Sequence, residues 1–325
     1  MSAPLLEVRR LRVRFDTPRG PVHAVDGIDF SLCAGDVLGL VGESGSGKSV
    51  TLRAIPRLLH ANATVTGAVL WRGEDLMTMP TERLRQVRGG EIGMVFQEPM
   101  AALNPVLSIG LQIEEVLVAH TVLDARARRA RAEELLGLVG IAAARQRLGQ
   151  FPHEFSGGMR QRAMIAIALA ANPVVLLADE PTTALDVTIQ DQILKLLLRL
   201  KDELGMALLL VTHDLAVVAE TCDRVAVMYA GRLCEIGPVA EVFARPHHAY
   251  TAALLRSVPG EGPPGTPLVP IPGQPPRLDR PDDGCAFRPR CTLATTICGA
   301  VRPEMRDVAR GHNAACHMTD ALASA

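Results

Sequence analysis

A glycine-rich octapeptide places the tightest constraint on how this chain folds. Residues 42–49 read GESGSGKS and match the phosphate-loop pattern G-x-x-x-x-G-K-[ST]. The apolar segment 36–41 before the loop is typical of a buried strand, and the periodic segment 49–59 after it is typical of a helix. A strand, a glycine loop and a helix in this order predict a nucleotide-binding α/β fold with a mostly parallel sheet.

The loop residues suit a bound polyphosphate. Glycines 45 and 47 would let successive backbone amides face the phosphates, Lys48 would reach the β- and γ-phosphates, and the Ser49 hydroxyl would ligate Mg²⁺. Lysine occurs only at positions 48, 195 and 201, so an accidental match to the pattern is a rare event. The candidate nucleotide-binding residues of this segment are Gly42, Glu43, Ser44, Gly45, Ser46, Gly47, Lys48, Ser49 and Thr51.

Two adjacent carboxylates follow a second buried strand. Residues 174–180 read VVLLADE, which places Asp179 at the C-terminal edge of the strand, where open α/β sheets bind ligands. Asp179 suits Mg²⁺ through a water molecule, and Glu180 suits a general base that polarises the attacking water. The alternative is a solvated turn before Pro181.

The composition and the charge balance indicate which partners and which cellular compartment to expect. Lysine and arginine number 34 against 35 aspartate and glutamate, which argues against a broad basic face for nucleic acid. The longest apolar run, residues 163–178, is interrupted at Asn172 and Pro173 and fails as a membrane span. The N-terminal 15 residues lack the apolar stretch of a secretory signal, and seven cysteines are too few for a disulfide scaffold. We expect a reduced, cytoplasmic chain that reaches a membrane only by docking on another protein.

The chain divides into three regions by composition. Residues 1–258 carry the strand and helix patterns, with alternating strands at 5–15 and 27–32 and helices alone from about 99 to 171. Nine of the 23 prolines fall within 259–284, which predicts an extended linker. Residues 285–325 form a short cysteine-rich extension. We therefore expect an N-terminal antiparallel β subdomain and an inserted helical subdomain within the first region.

The stretch FSGGMRQR, residues 155–162, resembles the LSGGQ-like signature of ATP-binding cassette (ABC) transporter ATPases, with Phe155 and Met159 as departures. The resemblance implies a RecA-like P-loop NTPase fold in which two cassettes enclose two ATP molecules head to tail. The signature of one cassette then faces the phosphate loop of the other. It assigns nucleotide contact to Ser156, Gly157, Gly158, Asp186 and Phe15, catalysis to Gln97, Glu180 and His213, and Mg²⁺ binding to Ser49, Gln97 and Asp179.

The extension has the spacing C-x5-C-x6-C-x17-C, formed by Cys285, Cys291, Cys298 and Cys316. Four thiolates can bind zinc or an iron–sulfur cluster, and free thiols are the third alternative. The string CAFRPRC and the upstream FARPHHAYT resemble the C-terminal part of oligopeptide and dipeptide importer ATPases, which implies a 4Fe-4S cluster. His312 and His317 are substitute ligands, and Cys33, Cys222 and Cys234 are interpreted as small buried residues.

The resemblance implies the ATP-binding and hydrolysing subunit of an ABC importer for di- and oligopeptides, on the cytoplasmic face of the inner membrane. The expected partners are two transmembrane permease subunits, a second ABC ATPase that is a different or an identical chain, and an extracytoplasmic peptide-binding protein. Nucleic acid is not an expected partner. The alternatives are the same role in a nickel or glutathione importer, and a soluble ABC ATPase without a transport role.

Overall fold

The computed structural model describes residues 3–183, 185–257, 270–279 and 283–323. Residues 258–269 and 280–282 of the predicted linker and its border lie outside the described residues. The chain forms two compact units. Of the described residues, those within 1–3, 33–36 and 78–210 form the first unit, and those within 4–32, 37–77 and 211–323 form the second.

The strands and helices alternate along the chain as a nucleotide-binding α/β fold requires. The strands are β1 (Leu6–Thr17), β2 (Gly20–Leu32), β3 (Val37–Val41), β4 (Ala63–Trp71), β5 (Glu74–Asp75), β6 (Ile92–Val95), β7 (Val175–Asp179), β8 (Ala207–Val211), β9 (Arg224–Tyr229), β10 (Arg232–Pro238), β11 (Arg306–Ala309) and β12 (His312–Ala314). The helices are α1 (Lys48–Ala54), α2 (Thr81–Val87), α3 (Pro99–Ala102), α4 (Ile109–His120), α5 (Ala125–Leu138), α6 (Ala144–Arg147), α7 (Gly157–Leu169), α8 (Val187–Leu204), α9 (Leu215–Thr221), α10 (Val239–Ala244), α11 (Ala249–Arg256), α12 (Thr296–Ala300) and α13 (Thr319–Ala323).

The first unit combines buried strands with the helical segment. Strands β6 and β7 pair in parallel, with Ile92 opposite Val175 and Val95 opposite Ala178. Every residue of β7 is buried, as expected for a strand with both faces covered. Between residues 99 and 171 the chain is helical without a strand, as the sequence pattern predicted. Helix α8 buries an apolar stripe that includes Ile193, Leu197 and Leu200.

The second unit contains the antiparallel sheet predicted near the N-terminus. Its strand order is β2-β1-β4-β5, and β1 pairs antiparallel with both β2 and β4. Strand β1 buries Leu6, Val8, Leu11 and Val13, and an irregularity in the pairing between Val8 and Leu11 keeps both pairs on the buried face. The strand therefore presents one face to the core and its arginines to solvent.

A second set of strands in this unit includes part of the cysteine-rich extension. These strands follow the order β11-β12-β10-β9-β3. Strand β3 pairs in parallel with β9, whereas the β9-β10, β10-β12 and β11-β12 pairs are antiparallel. The fold is therefore the predicted α/β class with a mixed sheet. The extension is integrated into it, because Glu235 of β10 lies opposite Ala314 of β12.

Glu235 connects three segments around the edge of these strands. Its side chain is fully buried and accepts hydrogen bonds from the backbone N–H groups of His247 (2.7 Å) and His248 (3.0 Å). The Nε2 atom of His312 lies 2.7 Å from the same carboxylate. Such a set of buried hydrogen bonds holds the extension in place, since a buried carboxylate without partners would be costly.

Burial of His248 makes the stability of the folded chain depend on pH. Burial lowers the pKa of its imidazole from 6.5 to about 4, and its Nδ1 accepts a hydrogen bond from the Tyr250 backbone N–H (3.0 Å). The folded chain thus keeps the ring neutral while the unfolded chain takes up a proton below pH 6.5. We predict that this histidine alone lowers the free energy of unfolding by about 2 kcal/mol between pH 7 and pH 5.

The measurement is urea unfolding of the wild type and the His248→Asn variant at both pH values. The asparagine oxygen can still accept the Tyr250 hydrogen bond but does not titrate, so the variant should lose correspondingly less stability. Equal losses in the two proteins would contradict the assignment.

Candidate functional site

The phosphate loop connects β3 to α1 in the second unit, and its own backbone packing requires glycine at two positions. A Cβ atom at Gly42 would lie 2.0 Å from the carbonyl oxygen of Met228. At Gly47, φ is +104° and a Cβ atom would lie 2.3 Å from the carbonyl oxygen of Ala24. Neither distance allows a side chain, so the loop is pressed against two neighbouring backbone segments and its curvature is fixed before any ligand binds.

Lys48 curls back over the loop from the first residue of α1. Its side chain is buried, and Nζ donates hydrogen bonds to the carbonyl oxygens of Gly42 (2.7 Å) and Glu43 (2.9 Å). The ammonium group therefore lies over the loop, where phosphate oxygens could replace the carbonyls as acceptors. Ser49 follows in the first turn of α1 and is partly exposed, as an Mg²⁺ ligand would need to be.

The remaining loop residues have structural contacts as well. The Thr51 hydroxyl donates to the Gly47 carbonyl (3.0 Å), and the Thr51 side chain is fully buried. The backbone N–H of Ser46 donates to the Glu43 carbonyl (3.2 Å) and its own carbonyl accepts from Gly231 (2.9 Å). Ser44 and Gly45 are exposed at the outer side of the loop. Direct contact of these residues with a nucleotide stays a prediction.

The first unit holds the candidate catalytic carboxylate in a fixed position. Glu180 follows β7 directly, with φ at +45°, and Asp179 before it is fully buried. The Oε2 atom of Glu180 accepts hydrogen bonds from Gln97 Nε2 (3.1 Å) and from the Thr183 hydroxyl (2.8 Å). Gln97 lies two residues after β6, the parallel neighbour of β7, so the topology brings the two predicted residues together. Thr183 was not among the predicted site residues, because none of the motifs gives its hydroxyl a role.

The signature segment lies at the start of α7 in the first unit. Helix α7 begins at Gly157, and the Ser156 Oγ caps it by accepting from the Met159 N–H (3.3 Å). Ser156 and Gly157 are exposed, whereas Phe155 is buried. A Cβ atom at Gly158 would lie 3.0 Å from Ile189, so glycine permits the close approach of α7 and α8. The exposed serine and glycine are available to a ligand from outside the chain.

Three further predicted residues lie at the ends or faces of their elements. Asp186 caps α8 by accepting from the Ile189 N–H (3.0 Å). His213 is exposed and follows β8 by two residues. Phe15 is half-buried in β1, opposite Val22 and Ala63. Their roles at a nucleotide stay predictions.

The loop also has partners that the sequence analysis missed. Glu43, the second residue of the loop, forms an ion pair with Arg290 of the extension, with Nη1 and Oε2 2.7 Å apart. The Glu43 backbone N–H donates to the Tyr250 hydroxyl (2.8 Å). The pattern of the loop did not point to either partner, because Tyr250 and Arg290 lie 207 and 247 residues further along the chain.

The four cysteines of the extension lie near one another. Cys298 and Cys316 are buried, Cys285 and Cys291 are half-buried, and the Cys285 N–H donates to the Cys298 carbonyl (2.8 Å). Burial, together with the other three thiols of the group, raises the pKa of the Cys285 thiol to about 11. Within the described ranges, no three His, Cys, Asp or Glu side chains are placed to hold one metal ion.

The structure changes the interpretation of Cys234 and of the two histidines, His312 and His317. Cys234 is buried as expected, yet burial and the nearby Cys285 and Cys316 raise its pKa well above the usual value, so it borders the group. His312 contacts Glu235, and His317 Nε2 lies 2.9 Å from the Val301 carbonyl. The two histidines proposed as substitute ligands therefore have other partners.

Comparison with known proteins agrees with this arrangement. A family described as ABC transporter matches residues 25–183, and a family described as the C-terminal region of oligopeptide/dipeptide transporters matches residues 234–298. A putative peptide import ATP-binding protein of Brucella abortus is 52% identical over 305 residues, covering 94% of this chain and 92% of the relative. The oligopeptide transport ATP-binding protein OppD of Haemophilus influenzae is 46% identical over 316 residues, covering 97% and 98%.

A solved structure shares the fold. It is the dimeric post-hydrolysis state of an ATP-binding cassette bound to ADP and Pi, 28% identical, with a TM-score of 0.65. The match covers 72% of this chain and 98% of that cassette.

Proposed function

This chain belongs to the ATP-binding proteins of ABC transporters, in the oligopeptide/dipeptide importer family, and we propose that its ATP hydrolysis drives the uptake of di- and oligopeptides. The observation that supports this most directly is the presence, on one chain, of a phosphate loop and a C-terminal region of the peptide-transporter type that contacts it through Arg290. The relatives that match over nearly the whole chain are named for peptide import or oligopeptide transport.

The hydrolytic role rests on how Glu180 is held. Two donors, Gln97 and Thr183, bind the same carboxylate oxygen and so hold in place the group that would act as the general base on an attacking water. Proton transfer from that water to the carboxylate would generate the nucleophile for the γ-phosphate. His213, exposed at the end of its strand, would contact the γ-phosphate.

The donor set suits Mg²⁺. Ser49, Gln97 and Asp179 supply a hydroxyl, an amide and a carboxylate oxygen, which are the hard ligands that Mg²⁺ prefers. When bound, the ion would neutralise charge on the β- and γ-phosphates. Lys48 would do the same once phosphate oxygens replace the Gly42 and Glu43 carbonyls as its acceptors.

We propose that a complete ATP site needs a second ABC subunit. The exposed Ser156 and Gly157 at the start of α7 would contact the nucleotide held by the phosphate loop of that partner, and Asp186 would lie at the same interface. The second subunit is either a different ATPase or another copy of this chain. Two permeases and an extracytoplasmic peptide-binding protein would complete the importer.

Among the described residues, no helix combines the length and the apolar character that crossing a bilayer demands. We propose that the chain works as a peripheral protein on the cytoplasmic face of the inner membrane, held there by the permeases.

The experiment that tests this function reconstitutes the chain with its permeases, partner ATPase and binding protein in vesicles. We expect ATP-dependent uptake of a labelled peptide, and we expect Glu180→Gln to reduce both uptake and ATP turnover by about a hundredfold or more, as loss of a general base does. Glu203→Gln is the matched control, since Glu203 is an exposed residue of α8.

ATP-driven uptake of nickel or glutathione without peptide uptake would overturn the peptide assignment. Full turnover in Glu180→Gln would overturn the assignment of the base.

We also propose that Cys285, Cys291, Cys298 and Cys316 hold a 4Fe-4S cluster. Each iron of such a cluster takes one thiolate, so the ligands need not converge on one point as they must around a single zinc ion. The four thiols meet this requirement in type and number, and each of the three with a raised pKa has other members of the group as a cause. When bound, a cluster would link the segments of the extension that carry the four cysteines.

Anaerobic purification followed by iron and sulfide assays checks this proposal. We expect about four irons and four sulfides per chain, a brown colour, and loss of both on Cys291→Ser but not on the Cys33→Ser control. One zinc per chain, or no metal after anaerobic purification, would contradict it.

A further inference from the structure

The phosphate loop contains a carboxylate whose negative charge opposes the binding of a polyphosphate. Within residues 42–49 the only charged side chains are Glu43 and Lys48, so their charges cancel. A site for a polyphosphate needs surplus positive charge, since the ligand brings several negative charges into it. The carboxylate belongs to a residue at the ligand side of the loop, since the Glu43 carbonyl accepts a hydrogen bond from Nζ of Lys48, the lysine assigned to the phosphates.

The missing positive charge comes from the cysteine-rich extension. Arg290 binds Glu43 through two parallel hydrogen bonds, Nη1 to Oε2 (2.7 Å) and Nη2 to Oε1 (2.9 Å). The Arg290 side chain is 5% exposed and that of Glu43 is 24% exposed. This bidentate geometry is the strongest form of a side-chain ion pair, and partial burial reduces its screening by salt.

The orientation of Arg290 is fixed by all of its donors. Besides the two bonds to Glu43, Nε donates to the Pro272 carbonyl (2.8 Å), Nη1 to the Tyr229 hydroxyl (3.2 Å) and Nη2 to the Ile271 carbonyl (3.4 Å). A guanidinium has five N–H groups, so each has an acceptor. The group also lies over the rings of Tyr229 (5.8 Å) and Phe287 (6.0 Å).

The backbone of Glu43 is fixed from a second direction. Its N–H donates to the hydroxyl of Tyr250, 207 residues away in sequence. The Tyr250 ring packs against those of Tyr229 (4.5 Å) and Phe287 (5.3 Å), which also flank Arg290. One aromatic cluster thus supports both contacts with the loop.

We propose that Arg290 is a positioning residue for nucleotide binding, which neutralises the Glu43 carboxylate and holds it away from the phosphates. The extension then acts on the ATP site directly, and the loop has its net positive charge only when the extension is docked. This inference rests on the proposed binding of ATP by the loop. The competing explanation is an ion pair that stabilises the fold alone, without an effect on phosphate charge.

The experiment measures binding of Mg²⁺-ATP and Mg²⁺-ADP to the full chain by fluorescence of labelled nucleotides. Arg290→Ala exposes the carboxylate and should raise the Kd for ATP about tenfold or more, as one nearby unit charge at intermediate dielectric would do. The increase should be smaller for ADP, which lacks the γ-phosphate charge. Arg310→Ala, an exposed arginine of the same extension, is the matched control and should leave both constants unchanged.

A second variant distinguishes an effect of the carboxylate charge on ATP binding from an effect of a lost structural contact. Glu43→Gln removes the ion pair but also the carboxylate, so it should bind ATP at least as tightly as the wild type. The double variant Glu43→Gln/Arg290→Ala should return the Kd to within about threefold of the wild-type value.

An unchanged ATP affinity in Arg290→Ala, or a loss in Glu43→Gln as large as in Arg290→Ala, would overturn the inference. Glu43→Gln decides the question even if Arg290→Ala does not fold. A wild-type chain that does not bind ATP would instead overturn the proposed function.

Discussion

The close packing of the phosphate loop against backbone carbonyls is the constraint on which the rest of the site depends. Gly42 lies against the Met228 carbonyl and Gly47 against the Ala24 carbonyl, at distances that exclude any Cβ atom. The curvature that would surround a phosphate is therefore a property of the folded second unit. Because the loop is formed in advance, ligand binding does not have to bear the entropy cost of ordering it.

The same rigidity explains how distant segments can act on the loop. A flexible loop could rearrange after the loss of one contact without a change at the ligand. A loop fixed at both glycines cannot rearrange in this way, so the loss alters the groups that face the ligand. Glu43 receives Arg290 and Tyr250 from the C-terminal third of the chain, and Glu180 receives Gln97 and Thr183 in the first unit. At Glu180 two side chains donate to the carboxylate, whereas at Glu43 Arg290 donates to the carboxylate and the Tyr250 hydroxyl accepts a hydrogen bond from the backbone N–H.

The sequence predicted those parts of the fold and site whose signal is local. The loop at residues 42–49 and the strand that ends at Asp179 are each specified by a few consecutive residues, and the structure has both where the sequence predicted them. The strands β9 to β12 were not anticipated: β10 carries the charged Glu235 at a buried position, and β11 and β12 have only four and three residues. Arg290 and Tyr250 could not be predicted, since their contacts with Glu43 span 247 and 207 residues.

The most direct test of the account is a calorimetric titration of the full chain with ATP in the presence of Mg²⁺. We expect one ATP bound per chain in the wild type and in Lys195→Ala, whose lysine lies on the surface of α8. We expect no measurable binding in Lys48→Ala, because the ammonium over the loop is then lost. Binding of ATP by Lys48→Ala with wild-type stoichiometry and affinity would contradict the account.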